Sequence, residues 1–176
     1  MNLVTALGIV IGIMGGVATW LFVGPLAGLG LAIWATFIAW ACFFHCGGKE
    51  DGLKNTIIAN IWGAIMATVA IALISRVPFA GAFGAGVWVA ITVAVMILAA
   101  QVPILSAIPA AVYGYAATAA FFLMGQKWTP PIDALDFALG TGPFTTIVVS
   151  MVIGAVLGYI SEKIAAAIVS SNRATA

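Results

Sequence analysis

Charge is what this sequence lacks most: only 6% of its 176 residues are Asp, Glu, Lys or Arg, where a soluble domain carries about 25%. With 64% hydrophobic residues, water is excluded as the solvent of most of the chain. There are two cysteines, Cys42 and Cys46, too few for a disulfide framework. A formal net charge of +1 leaves no basic footprint for nucleic acid. The ten-residue alternating segments of a transmembrane barrel are missing, and lipid offers no partner to an open sheet edge. The single histidine, His45, has no carboxylate near it within an apolar run, so no nucleophile–base pair can be assembled. The chain is therefore read as non-enzymatic, with no catalytic residue and no cofactor.

What is present is a series of long apolar runs. A hydrocarbon core about 30 Å thick is spanned by roughly 20 helical residues. Runs of this kind cover about 3–22, 26–46, 55–76, 86–101, 103–125 and 143–160. The expected fold is an all-α integral membrane protein with six transmembrane helices. The first run lacks a basic flank and is too long for a signal peptide, so it is read as a mature helix. Lys49, Lys54, Lys163 and Arg173 fall on one side of such a bundle, and Arg76 and Lys127 on the other. Excess Lys and Arg mark the cytoplasmic side, which puts both termini there. Beyond 160, "SEKIAAAIVSSNRATA" reads as a helical extension with a frayed tail over 172–176.

The longest polar stretch, 127–142, contains "PPIDALDFALG". It reads as a short extracytoplasmic helix beside Trp128. Pro131 suits a first turn, Asp133 and Asp136 suit its positive end, and Gly140 suits its C-cap. Ile132, Leu135 and Leu139 would share one face, making it either a surface connector or a lid over a pore mouth.

Two runs end alike, in "FFHCG" and "FFLMG". A shift of 78 residues superposes these words and also lays Pro25 on Pro103. The last run of each half, "NTIIANIWGA" and "TTIVVSMVIGA", aligns at an offset near 90, the difference falling in the 127–142 insert. The expectation is a repeat of three helices, 1–78 followed by 79–171. An odd number of spans per half inverts the second copy, an architecture common among membrane transport proteins. Phe43, Phe44 and His45 then mark one mouth of a path, and Phe121 and Phe122 the other. Pro25 and Pro103 open the paired runs as helix breaks that leave backbone carbonyls free.

Between the predicted ends of the six spans there is no Asp, Glu, Lys or Arg. Coupled pumps keep such residues inside the membrane despite their cost, and charged pore rings need them too. Asn55, Thr56, Asn60 and Trp62 in the third run face Thr145, Thr146 and Ser150 in the sixth, with Tyr113 and Tyr115 in the fifth. These side chains either line a narrow path or join helices, at about 0.6 kcal/mol per hydrogen bond. Cys42, His45 and Cys46 share one helix turn. A structural zinc site needs four ligands, so the cysteines are read as small buried hydrophobes and no metal is expected. Gly8 and Gly12, Gly63 and Ala67, and Gly154 and Gly158 are small-residue pairs that admit close helix contact, within a protomer or between protomers.

Six short spans, "CFFHCGGKEDGLKNT" after the second, and Gly-Ala in the third and sixth resemble the YcdZ-like family of bacterial inner-membrane proteins. That resemblance implies location and topology and no chemistry. A looser likeness of architecture is to the six-helix urea channels and acetate permeases, which work as homo-oligomers. The Asn-Pro-Ala-Pro signature of the acetate permeases is replaced here by "GPLAG", which speaks against a carboxylate substrate. The expected function is a channel or facilitator for a small uncharged solute across the bacterial inner membrane, assembled as a homo-oligomer in the lipid bilayer. The alternatives are a structural or regulatory membrane subunit without a pore, and a secondary transporter.

Overall fold

In a computed structural model that describes the backbone of residues 2–174 and the side chains of 2–171, each apolar run is helical and no strand occurs among the described residues. The helices are α1 Leu3–Val23, α2 Ile33–His45, α3 Lys49–Arg76, α4 Ala82–Leu98, α5 Ile108–Gly125 and α6 Pro143–Ala174. All but α2 are long and apolar enough to cross a membrane, α4 together with the 3-10 turn that continues it to Gln101, so the protein is a multi-pass helical membrane protein. The helix α6 continues through the first residues of the expected tail; 175 and 176 lie outside the described residues.

The exception corrects the expected second span. Helix α2 has 13 residues and begins at Ile33 instead of near 26. Pro25 has no amide donor to continue a helix. After it, the 3-10 turn Ala27–Leu29 closes on Gly30, whose φ of 63° is the left-handed conformation that glycine adopts without a Cβ clash. Ala32 is then extended, and its buried N–H donates to Ser150 Oγ at 3.0 Å. Non-helical backbone is tolerated at membrane depth only when protein satisfies it in this way. The chain is interrupted again before α5, by the 3-10 turns Ala99–Gln101 and Pro103–Leu105. The two interruptions lie at opposite ends of the bundle, because α1 and α4 run in opposite directions.

The expected helix over the 127–142 insert does not form; the stretch is a chain of turns. Asp133 Oδ1 accepts from Leu135 N at 2.8 Å and Asp136 Oδ1 from Ala138 N at 2.8 Å. Such two-residue side-chain turns compete directly with helix, and the paired prolines 130 and 131 remove two donors. Hydrogen bonds from Thr141 and from Ala138 N–H hold the Asp136 carboxyl below its ordinary range. Ile132 packs against Gly125 instead of joining a membrane-facing stripe with Leu135 and Leu139.

Helix α3 is the hub, packed on α4, α5 and α6, while α2 and α1 both pack on α6. The two most extensive contacts are α3 with α5 and α2 with α6. Both are permitted by glycine. A Cβ on Gly63 would strike the backbone of Ala111 and Tyr115, one on Gly114 the backbone of Asn60, and one on Gly154 the backbone of Thr36. Around these crossings lie two apolar clusters, one containing Ala35, Ala39, Phe121, Ile147 and Met151, the other Ala59, Met66, Met96 and Ala111.

Charges fasten the two ends. At the α2–α3 end, Lys163 Nζ and Tyr159 Oη both reach Glu50 Oε1, at 2.9 and 2.8 Å, and Lys49 N donates to Glu162 Oε2 at 2.8 Å. At the other end, Arg76 pairs with Asp133 at 3.1 Å, both side chains 59% exposed. Exposed pairs contribute little. Asp133→Asn, which keeps the oxygen that Leu135 N uses, is expected to change unfolding free energy in detergent by less than about 1 kcal/mol.

Candidate functional site

The last turn of α2 sets Cys42 and Cys46 on one face, their sulfurs 4.0 Å apart. Cys42 is fully buried and reaches Asn60 Oδ1 on α3, with 3.9 Å between sulfur and oxygen. One turn before Asn60, the fully buried Thr56 lies beside both thiols. Two polar atoms here have no hydrogen-bond partner: Thr56 Oγ1 and Asn60 Nδ2. An unpaired buried polar group costs about 1–3 kcal/mol, so two side by side need a reason.

These groups sit beneath a pocket of ≈ 410 Å³ between the α2–α3 turn and the start of α5. His45, Cys46, Gly47, Asn55, Ser106 and Pro109 line it. Cys46 lines the pocket and touches Cys42, which in turn touches Asn60. At the pocket edge His45 Nδ1 bonds Tyr113 Oη at 3.0 Å.

The other residues singled out from the sequence do not converge on this pocket. Trp62 Nε1 donates to Met96 O at 3.3 Å, tying α3 to α4. Tyr115 Oη bonds Thr92 Oγ1 at 3.2 Å, tying α5 to α4. Thr145 Oγ1 donates to Phe137 O and Thr146 Oγ1 accepts from Gly140 N, both at 2.8 Å, so these two hold the 127–142 loop. Ser150 is consumed at the α2–α6 crossing, accepting from Ala32 N and donating to Thr146 O at 2.7 Å. Phe43 is buried against Gly158, edge-on to Tyr159, with Phe44 beside it. Phe121 is packed with Ile147 and Met151 and edge-on to Trp128, and its neighbour Phe122 is half-buried. Pro25 stands in the turn after α1, and Pro103 opens the 3-10 turn Pro103–Leu105.

Sequence reasoning did not bring Cys42 and Cys46 to the polar cluster, because nothing in their own run points to Asn60 on another helix. It also missed Ser106, and the bond from Trp40 Nε1 to Ser161 Oγ at 3.0 Å. The signal available for the thiols was their four-residue spacing, which aligns them on one helix face.

A family described as protein of unknown function (DUF1097) has a model that matches residues 8–166. The chain belongs to the DUF1097 family. No curated protein and no solved structure matches it. The matched stretch takes in α2 to α5, most of α1 and α6, both interruptions and the whole polar cluster, so the site lies within the stretch the family model covers.

Chemically, the cluster offers two free hydrogen-bonding groups and two thiols, with no formal charge beside them. Among the described residues, no three or more His, Cys, Asp or Glu side chains converge to hold a metal ion. A four-ligand zinc site is thus not available here.

Proposed function

We propose that the protein is a channel or facilitator for a small uncharged polar solute in the bacterial inner membrane. The observation that carries this reading is the pair of unpartnered groups, Thr56 Oγ1 and Asn60 Nδ2, buried beside the pocket at the α2–α3 end. A solute carrying a carbonyl or hydroxyl satisfies both, and no charged side chain stands near enough to demand a counter-ion. The pocket lies at the α2–α3 end, and Phe121, Ile147 and Met151 belong to a buried apolar cluster.

The packing supports an inverted three-plus-three repeat. Exchanging α1, α2 and α3 with α4, α5 and α6 turns the α3–α5 contact into α6–α2, and α3–α4 into α6–α1. Under this exchange Thr56 corresponds to Thr146 and Asn60 to Ser150. The first pair lies free while the second is bonded to loop and α2. The α1 face bearing Gly8, Gly12 and Gly16 meets nothing within 4 Å, which suits it to contact a second copy in a homo-oligomer. The excess of Lys and Arg on the side of Lys49, Lys54 and Lys163 supports termini in the cytoplasm.

A second reading has its own support. Trp62, Tyr115, Thr36 and Ser150 spend their polar groups on helix–helix bonds, as a structural subunit without a pore would. Light scattering of proteoliposomes under gradients of glycerol, urea, acetate and water separates the two. Flux of a neutral solute above empty liposomes, lost in Asn60→Leu while that variant stays folded, supports the facilitator. Folded, inserted protein that passes none of these solutes leaves the subunit reading.

A further inference from the structure

The polar cluster carries a second chemistry that does not depend on transport. Two thiols, Cys42 and Cys46, stand with sulfurs 4.0 Å apart. Sulfur–metal bonds of about 2.3 Å put two thiolates about 4.0 Å apart at 120° and about 4.6 Å apart in line. The pair is therefore spaced for one ion held by two sulfurs, with little side-chain movement.

The surroundings hold two donors that a pair of metal-bound sulfurs would use. As a thiol, Cys42 directs its proton at Asn60 Oδ1 and leaves Asn60 Nδ2 and Thr56 Oγ1 without partners. As thiolates, the two sulfurs become acceptors. The Thr56 hydroxyl beside them then has a target, and a half-turn of the Asn60 amide brings its N–H groups to Cys42. Both orphaned groups are buried, Thr56 at 0% and Asn60 at 3% exposure. Outer hydrogen bonds of this kind to ligating atoms are half of a working metal site. Cys46 also caps the C-terminal end of α2, where the helix dipole favours a cation, and it lines the pocket through which an ion arrives.

The ligand set decides the ion. Two thiolates with no third His, Cys, Asp or Glu suit neither zinc, which takes four ligands, nor the hard oxygen-seeking cations. Soft thiolates select Cu(I) and its congeners, which are content with two or three ligands. We propose that Cys42 and Cys46 bind one soft monovalent cation of the Cu(I) class. On binding, both S–H bonds break, two sulfur–metal bonds form and two protons leave through the pocket; no oxidation state changes.

The test is anaerobic titration of the purified full-length protein in detergent with the Cu(I)–bicinchoninate complex. One Cu(I) per chain withdrawn from the chelator, with a thiolate-to-copper ultraviolet band, is expected. Cys42→Ala and Cys46→Ser each remove both signals, which also excludes the six methionines as the source. Thr56→Val keeps the stoichiometry and weakens binding about 10–100-fold. The proposal is overturned if the parent protein takes no Cu(I) from the chelator, or if Cys46→Ser, with unchanged circular dichroism, takes as much as the parent. Cys46 is half-buried at a helix end, so this variant is expected to fold. Neutral-solute flux is a separate readout, and neither result decides the other.

Discussion

A Gly114→Leu variant is expected to lose most of its folded protein in detergent. At Gly114 helix α5 lies directly on the backbone carbonyl of Asn60, and one turn away Gly63 of α3 lies on the backbone of Ala111 and Tyr115. The two glycines make a reciprocal seat, each receiving the other helix's main chain. Backbone cannot rotate aside as a side chain does, so any Cβ here parts the helices along their whole contact. That contact is one of the two most extensive in the molecule, and α3 also carries α4 and α6. Overpacking a tight core ordinarily costs about 1–3 kcal/mol and occasionally more; against immovable backbone at the hub helix, the upper end or beyond is expected. Denaturant titration followed by circular dichroism measures it. Gly12→Leu is the matched control. Gly12 sits on α1 with nothing within 4 Å of its would-be Cβ, so the same added side chain is expected to leave the unfolding midpoint of the monomer where it was. Equal stability of the two variants would mean that α3 and α5 are not seated as described.

The two glycines of this comparison show how far the sequence could be read. Small residues at helical spacing were legible at Gly8, Gly12, Gly63 and Gly154 alike. Spacing alone could not tell that Gly63 and Gly154 receive backbone while Gly8 and Gly12 face open space. The membrane class followed from the lack of charge, because no aqueous fold buries so apolar a chain. The shortness of α2 did not follow, since residues 26–32 are as apolar as the helix after them. What stops the helix there is the backbone conformation at Gly30 and a hydrogen bond to Ser150 on α6, a partner 118 residues away. The 127–142 insert was misread for the opposite reason. Its residues favour a helix at each end, but Asp133 and Asp136 fold back on their own backbone. In the site, Asn60 and Thr56 were visible as rare polar residues within a span. The thiols that face them were not, because the contact joins separate helices. Nor does Lys163 reveal by spacing that it meets Glu50 across the α3–α6 junction.

The long-range bond at Ser150 supports the second large prediction. Ser150 Oγ accepts from Ala32 N at 3.0 Å and donates to Thr146 O at 2.7 Å, while Thr36 Oγ1 donates to Ser150 O at 3.0 Å. Thr36 and Ser150 are both fully buried, and each joins α2 to α6, yet their removal has unequal consequences. In Ser150→Ala the N–H of Ala32 loses its acceptor. It precedes the first turn of α2, has no helical carbonyl to use, and lies where water does not reach. The expected cost is about 1–3 kcal/mol. In Thr36→Val the lost bonds leave behind only carbonyls, that of Ser150 within α6 and that of Ala32, which still accepts from Thr36 N, and the shape of the side chain is kept. That cost is expected to be near the 0.6 kcal/mol average for interhelical bonds in membranes. Measured side by side, the two variants separate an orphaned donor from a redundant acceptor. If Thr36→Val proves the more damaging, the interruption before α2 is held by something other than Ser150. If Ser150→Ala proves so, the start of a short helix inside the membrane is fixed by one hydroxyl from the other half of the chain.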